Sequence, residues 1–129
     1  MSRLCDKVAV VTGGCRGIGL ATVQIFAEAG ARVIATDISP VPGSGLAALK
    51  ECGLPVEYRR QDVTREDDWD DLASYVASAY GGALDVVVNN AGIALTGSVE
   101  DASLADWQRT LDVNLTGVFL GTRTAVRLM

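Results

Sequence analysis

Val8-Ala9-Val10-Val11-Thr12-Gly13-Gly14-Cys15-Arg16-Gly17-Ile18-Gly19 is the stretch that decides how this chain is read. An apolar run ends at a glycine-rich turn, and a helical pattern begins at once, with Leu20, Val23, Phe26 and Ala27 spaced for one face. Strand, glycine turn and helix in that order suit a pyrophosphate. The N–H groups at a helix start lack intrahelical partners and carry partial positive charge, so they bind an anion. Glycines let the main chain turn sharply and let a phosphate approach without a Cβ in the way. The spacing, Gly13-x3-Gly17-x-Gly19, differs from the general G-x-G-x-x-G fingerprint. A glycine triplet alone is weak evidence, because glycines often serve only as turns. The context strengthens it: a strand before, a helix after, and Asp37 at the end of a second apolar run.

Outward from that turn, strand and helix alternate. Residues 7–12 read as a fully buried strand, since apolar residues run without alternation. A helix is expected over 16–29, stopped by Gly30. A second strand is expected over 31–37, a loop over 39–45 and a short helix over 46–51. Residues 56–61 form a more polar third strand, placed near the sheet edge. Thr64-Arg65-Glu66-Asp67 resembles a capping signal for a helix reaching Tyr80, with Trp69, Leu72, Val76 and Ala79 on its apolar face. A fourth strand over 84–89 leads into a loop ending near Ala102. Ser103-x-x-Asp106 then opens a last helix, whose stripe of Leu111, Leu115, Val118, Thr122 and Val126 predicts its buried face. No stop signal precedes Met129, so this helix reads as cut rather than finished. Alternation with short connections predicts an α/β fold. It would be a doubly wound, Rossmann-like parallel sheet, truncated at about four strands in the order 3-2-1-4, with helices on both faces. A cleft at the switch point between strands 1 and 4 would bring 13–19 opposite 89–92.

The 129 residues are one domain's worth of chain, with 49% hydrophobic residues and a net charge of −5. Basic residues are scattered, with Arg59-Arg60 the only adjacent pair, which argues against a nucleic-acid footprint. No apolar run is long enough for a bilayer, and the N-terminus lacks a secretory pattern, so a cytoplasmic location is expected. Three cysteines without a C-x-x-C, and no histidine, argue against a metal site and a histidine-based nucleophilic triad. Cys15 reads as a small turn residue rather than a reactive thiol.

With these residues in place, the chain resembles the N-terminal half of a short-chain dehydrogenase/reductase. Four segments carry the resemblance in the family's order: Thr12–Gly19 as T-G-x-x-x-G-x-G, Asp62-Val63, Asn89-Asn90-Ala91-Gly92, and Leu111-Asp112-Val113-Asn114. The resemblance implies a nicotinamide dinucleotide bound by Gly13, Cys15, Arg16, Gly17, Ile18, Gly19, Asp37, Ile38, Asp62, Val63, Asn90, Ala91 and Gly92. Asp37 would accept the adenosine ribose hydroxyls and repel a 2′-phosphate, which favours NAD over NADP. Arg16 pulls the other way, since a basic residue there can hold a 2′-phosphate in relatives. Asp62 would accept from the adenine amino group, beside the Val63 backbone. Asn89 and Asn90 read either as cofactor neighbours or as ties between strands. Asn114 reads as the catalytic-helix asparagine whose backbone carbonyl holds a relay water, or as a buried structural amide.

The family's Tyr-x-x-x-Lys pair is not in this chain. Four residues after Tyr58, Tyr75 and Tyr80 stand Asp62, Ala79 and Leu84, and the lysines are Lys7 and Lys50. Ser98 and Ser103 come too early to be the family's catalytic serine. The expected function is therefore an oxidoreductase exchanging hydride between NAD and an alcohol or ketone, present as its cofactor-binding half and inactive alone. The alternatives are an inactive nucleotide-binding or assembly module and a non-functional fragment. The open edge of strand 4 and the last helix point to a homo-oligomer. No nucleic-acid or membrane partner is expected.

Overall fold

The computed structural model describes residues 3–129. Four parallel strands form one sheet in the order β3-β2-β1-β4. They are β1 (Val8–Thr12), β2 (Arg32–Asp37), β3 (Val56–Arg60) and β4 (Val86–Val88). The connecting helices are α1 (Gly17–Glu28), α2 (Gly43–Glu51) and α3 (Glu66–Tyr80). After β4 come a loop, α4 (Leu104–Leu111), a π-helical turn (Asp112–Thr116) and α5 (Gly117–Leu128). The strand order is the one expected, with β3 at one edge and β4 at the other.

Every residue of β1 is buried, which explains its unbroken apolar run. Successive side chains serve opposite faces. Val8, Val10 and Ile34 pack with Trp69, Leu72 and Val76 of α3 and Leu120 of α5. Val11, Val33 and Ala35 pack with Val23 and Ala27 of α1 and Leu46 of α2. Each buried Val, Leu or Ile among them contributes about 1.5–3 kcal/mol by leaving water. The two layers hold the C-terminal ends of β1, β2 and β3 at a common height, where the loops to α1, α2 and α3 emerge.

Four local expectations are corrected. The second helix begins at Gly43, one turn before the expected 46, and absorbs the end of the supposed loop. Thr64 does not cap α3: the N-cap position is Arg65, without a side-chain cap, while the Thr64 N–H and hydroxyl both donate to Asp62 Oδ1, at 3.0 and 2.7 Å. An aspartate two residues back competes better for that N–H in an Asx turn. Ala79 is exposed, so the buried face of α3 is Trp69, Leu72 and Val76. The last helix is also not one regular rod. Its π turn shifts the phase, and the buried residues of α5 are Gly117, Leu120, Gly121 and Ala125. Leu115 and Val126 of the predicted stripe are 64% and 72% exposed. Ser103 behaves as expected, accepting from the Asp106 N–H at 3.0 Å.

Small residues decide which face of α5 is buried. A Cβ at Gly121 would lie 2.8 and 3.0 Å from the Trp69 ring and overlap Asn89 Oδ1. A Cβ at Gly117 would lie 2.8 Å from Val63 Cγ2. Glycine at both positions lets α5 approach α3 and the segment after β3 closely. The Trp69 indole N–H, so enclosed, donates to Val63 O at 2.9 Å.

Candidate functional site

The carboxyl ends of the strands enclose a cleft of about 440 Å³. Its floor is the turn after β1. Gly13 and Gly17 hold φ of 63° and 56°, a region costly for residues with a Cβ. A Cβ at Gly19 would overlap the Gly13 carbonyl oxygen and lie 2.6 Å from Asn90 Nδ2. At Gly17 the same atom would meet nothing within 4 Å, so the turn is tight beneath and open above. Among the described residues no side chain caps α1, and no carboxylate occupies its first turn. The first N–H groups of α1 therefore remain available to an anion.

The turn after β4 is bound to this floor, as the switch-point argument expects. Asn90 Nδ2 donates to Thr12 O at 3.0 Å and Gly13 O at 3.2 Å. The Thr12 hydroxyl accepts from the N–H groups of Asn90 and Ala91, both at 3.0 Å. The Asn90 side chain thus ties the two strand ends together. Asn89 instead reaches α5, with Nδ2 3.4 Å from the Thr122 hydroxyl.

Asp37 closes the far wall. Its Oδ1 accepts from the Ile38 N–H at 2.8 Å. An ionised carboxylate has several further acceptor positions. Arg16 and Ile18 flank it across the cleft, with Ile18 80% exposed. Asp62 continues the same wall. Its Oδ1 serves Thr64, and its own N–H donates to Asp68 Oδ2 at 2.8 Å. Val63, Ala91 and Gly92 complete the lining.

Of the site residues expected from sequence, Cys15, Gly19 and Asn114 do not line the cleft. Gly19 works beneath it, as the residue over which Gly13 and Asn90 close. Cys15 packs against the α1 and α2 layer. Burial, with the Asp37 carboxylate nearby, pushes its thiol up to about 11. It is a neutral, unreactive thiol at physiological pH. Asn114 lies in the π turn. Its amide pairs with one backbone residue, Oδ1 accepting from the Ile93 N–H at 2.8 Å and Nδ2 donating to Ile93 O at 2.7 Å. This side chain anchors the loop after β4 to the last helix.

The lining also includes Ile93, at the start of the segment expected to wall the pocket, and Thr36, Gln61, Arg109 and Val113, which sequence reasoning missed. Arg109 and Val113 stand four apart on α4 and the π turn, a spacing visible once the helix face is known. The Arg109 guanidinium has no ion pair or hydrogen bond among the described residues. The Thr36 hydroxyl and both polar atoms of the Gln61 amide are buried without a partner among the described residues. Such groups cost about 1–3 kcal/mol each when left unmet, and they mark this wall as one that suits a polar ligand. The open glycine turn, the uncapped helix start and the carboxylate wall together fit a dinucleotide.

A doubly wound α/β sheet with a glycine turn at its switch point defines a nucleotide-binding class. The particular family follows from comparison. The family model described as short chain dehydrogenase matches residues 7–129, and the chain belongs to that family, which uses nicotinamide cofactors. It is 46% identical over 127 residues to the 3-alpha-(or 20-beta)-hydroxysteroid dehydrogenase of Mycobacterium tuberculosis, covering 98% of this chain and 48% of that protein. It is 41% identical to the NADP-dependent (R)-specific alcohol dehydrogenase of Lentilactobacillus kefiri, covering 98% of this chain and 50% of that one. The crystal structure of gox2181 superposes with a TM-score of 0.91 at 35% identity, covering 98% of this chain and 50% of that chain. The chain spans about half the length of the curated relatives it matches.

Among the described residues no group of three or more His, Cys, Asp or Glu could hold a metal ion, and no helix is long and apolar enough to cross a membrane.

Proposed function

We propose that this chain is the NAD-binding part of an oxidoreductase acting on a secondary alcohol or ketone. The observation that carries the NAD reading is the Asp37 carboxylate, held at the cleft wall opposite the glycine turn. Bound there, a nicotinamide dinucleotide would supply the site that accepts or releases hydride.

The chain's own residues would do the binding. The N–H groups opening α1 would hold the diphosphate. Asp37 would accept the hydroxyls of the adenosine ribose, and its charge would oppose a 2′-phosphate. Asp62 would accept from the adenine amino group, beside the Val63 backbone. Asn90, Ala91 and Gly92 would border the nicotinamide ribose. The π turn at Asn114 supports a further role. Its Gly117 N–H bonds to Asp112 O, five residues back, and such a turn draws backbone carbonyls away from the regular helical ladder. The Asn114 carbonyl would hold a water that passes the reaction proton. The acid–base tyrosine and lysine would come from outside these 129 residues.

A second reading is a nucleotide-binding module without turnover. Two measurements separate and test these readings. Calorimetric titration of the intact protein should give tighter binding of NAD than of NADP. Asp37→Ala should weaken NAD by about ten- to hundredfold, the value of charge-assisted hydrogen bonds, and leave NADP unopposed. Equal affinity for both dinucleotides in the unaltered protein would overturn the NAD assignment. Turnover of secondary alcohols by the intact protein supports the enzyme; binding without turnover supports the module.

A further inference from the structure

Asp37 can read a ribose only if its carboxylate is held still, and the groups that hold its backbone come from β3. Asp37 O accepts from the Gln61 N–H at 2.8 Å and from the Tyr58 hydroxyl at 3.2 Å. The same hydroxyl also donates to Ser39 O, so its one proton is shared between these two carbonyls. Between them, Ile38 O accepts from Arg60 Nε at 3.1 Å. The three consecutive carbonyls of Asp37, Ile38 and Ser39 are therefore held by two alternate side chains of β3, Tyr58 on the first and third and Arg60 on the second.

The effect reaches the carboxylate through one rigid unit. Asp37 C=O and Ile38 N–H belong to the same planar peptide. Fixing the carbonyl toward Tyr58 and Gln61 fixes the direction of that N–H, and that N–H holds Asp37 Oδ1 at 2.8 Å. Rotation of the peptide would release the carboxylate from its place on the cleft wall. Arg60 blocks rotation of the next peptide. Tyr58 is half-buried, and burial raises its hydroxyl above the ordinary tyrosine value, so it remains a donor well above neutral pH.

The geometry points to Tyr58 and Arg60 as positioning residues that set the ribose-reading angle of Asp37, and so the preference of this site for an unphosphorylated adenosine ribose. Neither residue lines the cleft. They act through Asp37 and Ile38, so the inference rests on the dinucleotide reading of this site.

The test is the affinity of the intact protein for NAD and NADP in Tyr58→Phe and Arg60→Lys, by calorimetric titration. Tyr58→Phe keeps the ring and removes only the hydroxyl. Arg60→Lys keeps the charge, so attraction for a phosphate is unchanged, while the Nε donor is lost. Arg60 is exposed, so its variant tests the idea even where Tyr58→Phe fails to fold. Each variant should weaken NAD by about five- to tenfold, the worth of one to two positioning hydrogen bonds. NADP should change little, which narrows the ratio between the two. Equal loss for both dinucleotides, or an unchanged ratio, overturns the positioning role and leaves the NAD site standing. An unaltered protein that binds neither dinucleotide overturns both readings.

Discussion

At the scale of single residues, carboxylates in this chain organise backbone as much as they offer charge. Asp37 takes the Ile38 N–H, Asp62 the Thr64 N–H, Asp68 the Asp62 N–H and Asp85 the Val8 N–H. Asp85 is the clearest case for measurement. Its Oδ2 accepts from Val8 at 2.9 Å, and Lys7 Nζ stands 3.4 Å from Oδ1. The Val8 N–H holds its carboxyl below the usual carboxylate value, against an opposing effect of burial and with the Lys7 ammonium as a smaller aid. A depressed folded-state value means that the ionised form is the one favoured by folding. The stabilisation is fully present above the unfolded value near 3.8 and is lost as pH falls through the lower folded value. Denaturant unfolding of Asp85→Asn should therefore show a deficit at pH 7 that shrinks to nothing in strong acid. A deficit constant from pH 7 to pH 2 would rule this origin out.

At the scale of elements, α5 shows how packing overrides a pattern. Leu111, Leu115, Val118, Thr122 and Val126 satisfy helical spacing, yet the face that meets the sheet carries Gly117, Leu120, Gly121 and Ala125. Two things were hidden from spacing. The π turn inserts an extra residue per turn and rotates the phase. The indole of Trp69, fixed by its bond to Val63 O, leaves room above it only for hydrogen at position 121. An alanine there would gain up to about 1 kcal/mol of helix propensity. Its Cβ would meet the Trp69 ring at 2.8 Å in a wall that cannot yield, and overpacking of that kind costs about 1–3 kcal/mol. The clash wins, so Gly121→Ala should lower the unfolding free energy by about 1–2 kcal/mol. An alanine variant as stable as the parent would show that α5 can slide away from α3. By contrast, α1 and α3 show their buried faces in sequence, because Val23, Ala27, Trp69, Leu72 and Val76 lie on uninterrupted α-helices.

At the scale of the whole molecule, the unequal use of surface is the main feature. One edge of the sheet, β3, is braced by α3: Glu57 accepts from the Tyr75 and Tyr80 hydroxyls at 2.6 and 2.7 Å, with the Arg59 guanidinium over the Tyr75 ring. The other edge, β4, pairs only with β1 among the described residues. Along the last helices, Leu104, Trp107, Leu115, Phe119 and Val126 are exposed. Apolar surface gathered in this way marks an interaction face, and an unpaired apolar edge invites a further strand. We propose that this side is covered by a second copy of the protein. Light scattering at micromolar concentration should give a dimer or larger species, and Leu115→Asp with Phe119→Asp should move it toward the monomer. A monodisperse monomer before substitution would remove this assignment.

The sequence by itself determined the order of strands and helices, the strand order in the sheet, the glycine turn and the acidic residues that meet it in the cleft. These are legible because each depends on local facts: unbroken apolar runs for strands buried on both faces, glycine where a Cβ has no room, and short connections that force parallel neighbours. Only the tertiary structure decided which face of α5 is buried, that Asp62 rather than Thr64 organises the start of α3, and that Thr36, Gln61 and Arg109 join the cleft wall. The same holds for the Tyr58 and Arg60 bonds that hold the Asp37 peptide. Each of these depends on contacts between elements that adjoin only after folding, where the space left by one side chain sets what its neighbour can be, and no spacing along the chain carries that information.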